Sequence, residues 1–136
     1  MAVFWRDARR SLTEPMYPAD SSPLTARLCR MPAGVVVVEM RGEVDLTTEE
    51  IMRKALADGV GTADVRLLVC DMTRVSFFGC VGLTVLLRAK AVLRQRDAQL
   101  RVVAQSHPVV MMFDLTDLSD ALGLCASLEE ATGDQR

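Results

Sequence analysis

Apolar residues along this chain switch repeatedly between strand-like and helix-like spacing. Residues 24–30 alternate loosely and read as an edge strand, and Met31-Pro-Ala-Gly34 is a turn by composition. Val35-Val-Val-Val-Glu-Met40 is a β-branched run, stiff at χ1 and too short to favour a helix. Arg41-Gly-Glu-Val-Asp45 then leaves the strand. Thr47-Thr-Glu-Glu50 fits a capping box, with Thr47 capping the backbone and Glu50 reaching back. Ile51, Met52, Ala55 and Leu56 follow at helical spacing, and Gly59 and Gly61 end that helix.

Arg66-Leu-Leu-Val-Cys70 is continuously apolar after its first residue, as in a strand buried on both faces. A turn containing Gly79-Cys80-Val81-Gly82 leads into a helix over residues 82–96. Leu83, Leu86, Leu87 and Leu93 mark one stripe of it, and Arg88, Lys90, Arg94 and Arg96 make another side basic. Residues 100–104 form the next strand. Pro108 suits a first helical position, continued by Val109, Val110, Met112 and Phe113. Residues 122–126 are a last short strand, and Ser127-Leu-Glu-Glu130 is a second capping box opening a terminal helix. The order is therefore two strands followed by alternating helices and strands, which predicts a layered α/β domain with substantial parallel pairing.

Before residue 23 the pattern stops. Residues 1–22 hold Pro15, Pro18, mixed charge and Ser21-Ser22, without sustained periodicity. They read as a flexible N-terminal extension or a strand-like flap, with residues 23–136 as the domain. Trp5 and Tyr17, the sole residues of their types, fall in the extension. A sharper alternative makes them an aromatic anchor that docks on the domain or on a partner.

Composition narrows the function classes. At 136 residues, half of them apolar, the chain is expected to form one domain with its own core. A formal charge of −2 gives no strong attraction to nucleic acid or anionic membrane. No apolar run approaches the roughly 20 residues of a spanning helix. Arg6, Arg9 and Arg10 precede no apolar segment, so a secretory leader is not expected. The four cysteines, Cys29, Cys70, Cys80 and Cys125, are scattered, as expected of reduced cytoplasmic thiols used as small hydrophobes. With one histidine and no Cys-x-x-Cys, no metal site or cofactor is expected. Gly79-x-x-Gly82 lacks the lysine and spacing of a nucleotide loop.

The candidate chemistry centres on Cys80. A strand-to-helix turn presents unpaired N–H groups and a positive dipole end, which favour a thiolate or a bound anion. Against a thiol enzyme, the only histidine is His107, whose place before Pro108 suits a helix N-terminus better than a catalytic base. Glu43 and Asp45 read either as an acid pair or as turn and cap chemistry before a helix. Asp71 is expected to order the following segment through side-chain hydrogen bonds to backbone. The basic side of the 82–96 helix is a solvated face or a match for an acidic partner.

Three stretches resemble the STAS domain family, the module of anti-sigma factor antagonists. Gly42-Glu-Val-Asp-Leu46 resembles the family's Gly-Glu-Leu-Asp turn. Residues 67–87 resemble its apolar strand, Asp, then Val-x-Phe-Ile-Asp-Ser-Ser-Gly-Leu-Gly-Val-Leu. Residues 108–118 resemble its Pro-containing helix ending near Leu-Thr-Gly-Leu. The resemblance they carry extends over roughly residues 24–131. The resemblance implies a STAS-like single domain: a mixed, mostly parallel sheet of about five strands, with about four helices mainly on one face. It implies a cytoplasmic, bacterial, non-enzymatic module that regulates transcription by partner switching, binding an anti-sigma factor of kinase or ATPase fold; a homodimer is left open. The partner-facing residues would be Glu43, Asp45, Thr47, Phe78, Gly79, Cys80, Val81, Gly82, Thr84 and Arg88, with Phe78 and Val81 giving apolar contact and Arg88 or Lys90 charge. In typical members a serine in the Asp-Ser-Ser-Gly turn is phosphorylated by the partner. Aligned on Gly82, that serine is Cys80, with Gly79 at the aspartate and Val81 at the second serine, so phosphorylation is not expected at residue 80. Ser76 and Thr84 are other hydroxyls nearby. The runner-up reading is a redox or small-ligand sensor at the Cys80 turn, and the third a thiol enzyme.

Overall fold

A computed structural model describes residues 13–17, as backbone, and residues 23–133. Trp5 lies outside them. The strands are β1 (Thr13–Tyr17), β2 (Leu24–Met31), β3 (Val35–Val44), β4 (Leu67–Phe78), β5 (Gln99–Val103) and β6 (Leu124–Cys125). The helices are α1 (Glu49–Val60), α2 (Cys80–Gln95), α3 (His107–Thr116) and α4 (Leu128–Gly133). All six strands form one sheet in chain order. β1, β2 and β3 pair antiparallel, and β3 to β6 pair parallel. The five expected strands are joined by β1, the strand-like alternative for that part of the N-terminal stretch.

Sheet order explains where the helices lie. The connections β3–α1–β4, β4–α2–β5 and β5–α3–β6 each step one strand in the same direction, and right-handed crossovers then place all three helices on one face. Leu68, Cys70 and Met72 of β4 share the main core there with Met52 and Leu56 of α1, Leu86 and Leu93 of α2, and Phe113 of α3. The alternate residues Leu67 and Val69 belong to a second cluster on the other face with Val37, Val103 and Ala131 of α4. A strand with side chains buried on both faces reads as a continuous apolar run, as residues 67–70 do.

The β3–β4 pair is longer than the sequence suggests. β3 continues through Val44 and β4 through Phe78, so residues 41–44 and 71–78, expected to leave their strands, stay in the ladder. Two register shifts accompany this, where Glu39 pairs Asp71 but Arg41 pairs Arg74, and where Gly42 pairs Val75 but Glu43 pairs Phe77. Each inserts one extra residue in β4, a β-bulge. At the first, Asp71 Oδ1 accepts from the Thr73 N–H at 3.1 Å and from the Thr73 hydroxyl at 2.9 Å, the ordering role expected of it. Gly42 has φ +123, and a Cβ there would lie 1.9 Å from the Pro23 carbonyl oxygen, so β2 and β3 meet this closely only with glycine.

Candidate functional site

The parallel strands β3, β4 and β5 end on the same side of the sheet, which gathers the loops that follow them. In open α/β sheets this end is where binding surfaces form. The junctions are tied together by backbone contacts. The Gly79 N–H donates to the Val44 carbonyl at 2.8 Å. The Ser106 hydroxyl, at the N-cap of α3, donates to the Val75 carbonyl at 3.2 Å.

Asp45 builds the loop after β3. Its Oδ1 accepts from the Thr47 hydroxyl at 2.7 Å, the Thr47 N–H at 2.9 Å and the Thr48 N–H at 3.2 Å. Those bonds, the Thr47 hydroxyl first, hold the Asp45 carboxyl below its usual pKa. Buried Thr48 donates its hydroxyl to the Glu43 carbonyl at 2.8 Å and accepts from the Asp45 N–H at 3.0 Å. The expected capping box shifts accordingly: Thr48, not Thr47, is the N-cap, and neither side chain caps α1. Thr47 is taken by Asp45 instead, which supports turn chemistry for that carboxylate. Glu43 and Thr47 are exposed.

α2 begins directly at Cys80, with Gly79 as N-cap and no side-chain cap. Cys80 is the only exposed thiol of the four; Cys29, Cys70 and Cys125 are buried. Burial, reinforced by the neighbouring Asp71 charge, pushes the Cys70 thiol well above its ordinary pKa and keeps it protonated. Val81 is half-buried, Thr84 and Arg88 are exposed, and Gly82 is buried. A Cβ on Gly82 would lie 2.3 Å from Cε1 of Phe78, so α2 starts against the face of that ring.

The structure corrects one expected contact. Phe78 is 1% exposed and stacks on Phe113, with ring centroids 5.6 Å apart. The second bulge is the cause: Val75 and Phe78, three apart, both face the core, and Phe77 turns outward at 50% exposure. Leu46, at 78% exposure, was also missed; it sits in the Asp45 turn, where no periodicity marks it. Leu87 was placed on the buried stripe of its helix but is 40% exposed, in line with Cys80, Thr84 and Arg88 at i, i+4, i+7 and i+8. Lys90 of α2 donates to the Ala121 carbonyl, and Arg96, the C-cap of that helix, to the Val60 carbonyl at 2.7 Å, so both serve packing. Exposed Arg88 is the cation beside the turn.

The site therefore gathers Glu43, Asp45, Leu46, Thr47, Phe77, Gly79, Cys80, Val81, Thr84, Leu87 and Arg88 at one end of the sheet and along the adjoining helix. Its exposed apolar side chains and backbone turns suit contact with a protein surface. Among the described residues no hydrogen bond joins Cys80 to His107, and no group of three or more His, Cys, Asp or Glu side chains could hold a metal.

Known proteins show the same architecture. An anti-sigma factor antagonist from Mycobacterium paratuberculosis is 28% identical, with a TM-score of 0.75 over 85% of this chain and 96% of that one. The anti-sigma factor antagonist SpoIIAA in its unphosphorylated form is 21% identical, with a TM-score of 0.70 over 82% and 96% of the two chains. The murine anion transporter Slc26a9 is 15% identical, with a TM-score of 0.66 over 98% of this chain and 23% of the transporter. The last two likenesses concern the fold alone. No helix among the described residues is long and apolar enough to cross a membrane. The STAS domain family profile matches residues 29–131, and the chain belongs to that family.

Proposed function

We propose that this chain is an anti-sigma factor antagonist, a cytoplasmic, non-enzymatic module that regulates transcription by binding an anti-sigma factor of ATPase fold. The observation that carries the reading is the exposed apolar set Leu46, Phe77 and Leu87 around the Cys80 turn, on a fold like that of the mycobacterial antagonist. In this reading Phe77 and Leu46 are the anchors, Val81 and Leu87 extend the apolar contact along α2, and Arg88 matches an acidic group on the partner. Phe78 acts from beneath, fixing the start of α2. Cys80 occupies the position of the family's phosphorylated serine, so binding is not switched off by phosphorylation at that residue.

The test is affinity capture from lysate with the parent chain and with Phe77→Asp as baits. Retention of an ATPase-fold anti-sigma factor by the parent, and its loss with Phe77→Asp at unchanged melting temperature, is the expected result. Equal retention by both baits, or capture of no such protein by the parent, would overturn the reading.

The exposure of Cys80, against three buried thiols, favours a second reading in which a peroxide-class oxidant converts this thiol to a sulfenic acid, its O–O bond breaking to release water or an alcohol, and weakens partner binding. Capture with and without reductant separates the two: equal retention leaves a constitutive binder.

A further inference from the structure

The β3–β4 ladder outruns the rest of the parallel sheet. β4 meets β5 for the last time at Asp71, opposite Val103, and then continues beside β3 to Phe78. One face of this two-stranded arm is core, where Met40, Val44, Met72, Val75 and Phe78 are buried. On the other face Arg41, Glu43, Arg74 and Phe77 are exposed.

The bulges decide what this open face carries. In regular pairing from Glu39 opposite Asp71, Arg41 would stand opposite Thr73, and Arg74 would turn towards the core. The first bulge instead puts Arg74 opposite Arg41. The second turns Phe77 outward, three residues along from Arg74 on the same face. Bulges re-aim side chains in this way next to functional sites.

Like charges directly opposite on adjacent strands are destabilising. Among the described residues neither Arg41 nor Arg74 joins an ion pair. The carboxylates of the same face are engaged elsewhere or out of reach. Glu39 pairs with Arg27 at 3.8 Å, and buried Asp71 accepts from Thr73. Glu43 stands opposite Phe77 and bridges to neither arginine. Two unbridged guanidinium groups beside an exposed ring match an acidic surface from outside the chain. Arginine binds carboxylates bidentately, and arginine and aromatic residues are enriched where proteins meet.

We propose that Arg41 and Arg74 bind an acidic segment of the protein partner, one whose carboxylates flank the apolar site that takes Phe77. Resting on the partner reading above, this extends the contact round the rim, from Arg88 on the helix side to the open face of the β3–β4 arm.

Two variants keep the claims apart: Phe77→Asp tests the anchor, and Arg41→Ser/Arg74→Ser tests the charge. With the captured partner purified, the double variant is expected to bind about tenfold more weakly at low salt, with an association rate less sensitive to salt. Loss of binding in Phe77→Asp but not in the arginine variant overturns the proposal and leaves the partner reading standing. If no ATPase-fold partner is captured, that reading fails, and a synthetic glutamate-rich peptide with one central leucine becomes the probe. Titrated to millimolar concentration against the isotope-labelled chain, it is expected to shift the amide signals of residues 41, 74 and 77 in the parent and not in the double variant. No shifts, equal shifts in both proteins, or tighter binding of a short single-stranded DNA would overturn the proposal. The double variant is also expected to melt no lower than the parent, since it removes a repulsion. A lower melting temperature would make the arginines structural and count against an external acid.

Discussion

Gly82 and Phe78 show how a single hydrogen atom can fix the start of a helix. The Phe78 ring lies where a Gly82 side chain would be and is itself held against Phe113, so it cannot swing away. Gly82→Ala is therefore expected to destabilise the fold by about 1–3 kcal/mol, the usual cost of overpacking, read as a lower urea midpoint at unchanged slope. Asp45 gives a prediction about pH. Its carboxyl is held below the usual pKa by bonds from Thr47 and Thr48. A depressed carboxylate contributes stability above its unfolded pKa of about 3.9 and loses it as pH falls through the lower folded value. Asp45→Asn should therefore flatten part of the stability loss below about pH 4, measured as melting temperature against pH. An equally steep profile in both proteins would assign the acid sensitivity to other carboxylates.

Elements that follow a simple period were legible. The Val35–Val38 run and the apolar stretch 67–70 appear as the strands expected of them, and the α2 stripe keeps Leu83, Leu86 and Leu93 in the core while Leu87 falls outside it. β4 beyond Asp71 was not, because two bulges break the alternation. The core residues Leu68, Cys70, Met72, Val75 and Phe78 are spaced two, two, three and three apart, a pattern neither strand nor helix predicts. Nothing local in Ser76-Phe-Phe78 says which phenylalanine turns inward; the β3 partner residues decide it. The cap of α1 was missed similarly, since Asp45 competes for Thr47 and leaves Thr48 as the boundary. The consequence is opposite behaviour in adjacent residues. Phe78→Ala should cost about 3–5 kcal/mol, as for large core aromatics, whereas Phe77→Ala should stay within about 0.5 kcal/mol. Chemical denaturation of the two variants, side by side, measures this; equal losses would remove the argument that the bulge sets their orientations.

Across the whole molecule, three crossovers in one direction leave the ends of β3 and β4 and the start of α2 on one rim, and Cys80, which we propose stands at the family's phosphorylated position, is the first residue of α2. That position is exposed and lacks a side-chain cap, so its local geometry is open to modification; it carries Sγ rather than a hydroxyl. If the proposed partner has the kinase activity typical of the family, the difference lies in the nucleophile and not in access. Cys80→Ser restores the hydroxyl without filling space, because the residue is exposed and the neighbouring Gly79 and Gly82 are untouched. The captured partner with ATP is then expected to add one phosphate to the Cys80→Ser chain and none to residue 80 of the parent, as read by intact mass and peptide mapping. The added charge of about −1.5 to −2 would sit beside Leu46 and Phe77, where desolvating it against an apolar partner surface is costly. Phosphorylated Cys80→Ser should therefore lose affinity for the partner while the parent keeps it in the same mixture. Phosphorylation of the parent at Ser76 or Thr84 with the same loss of affinity would instead show that the switch has moved along the chain.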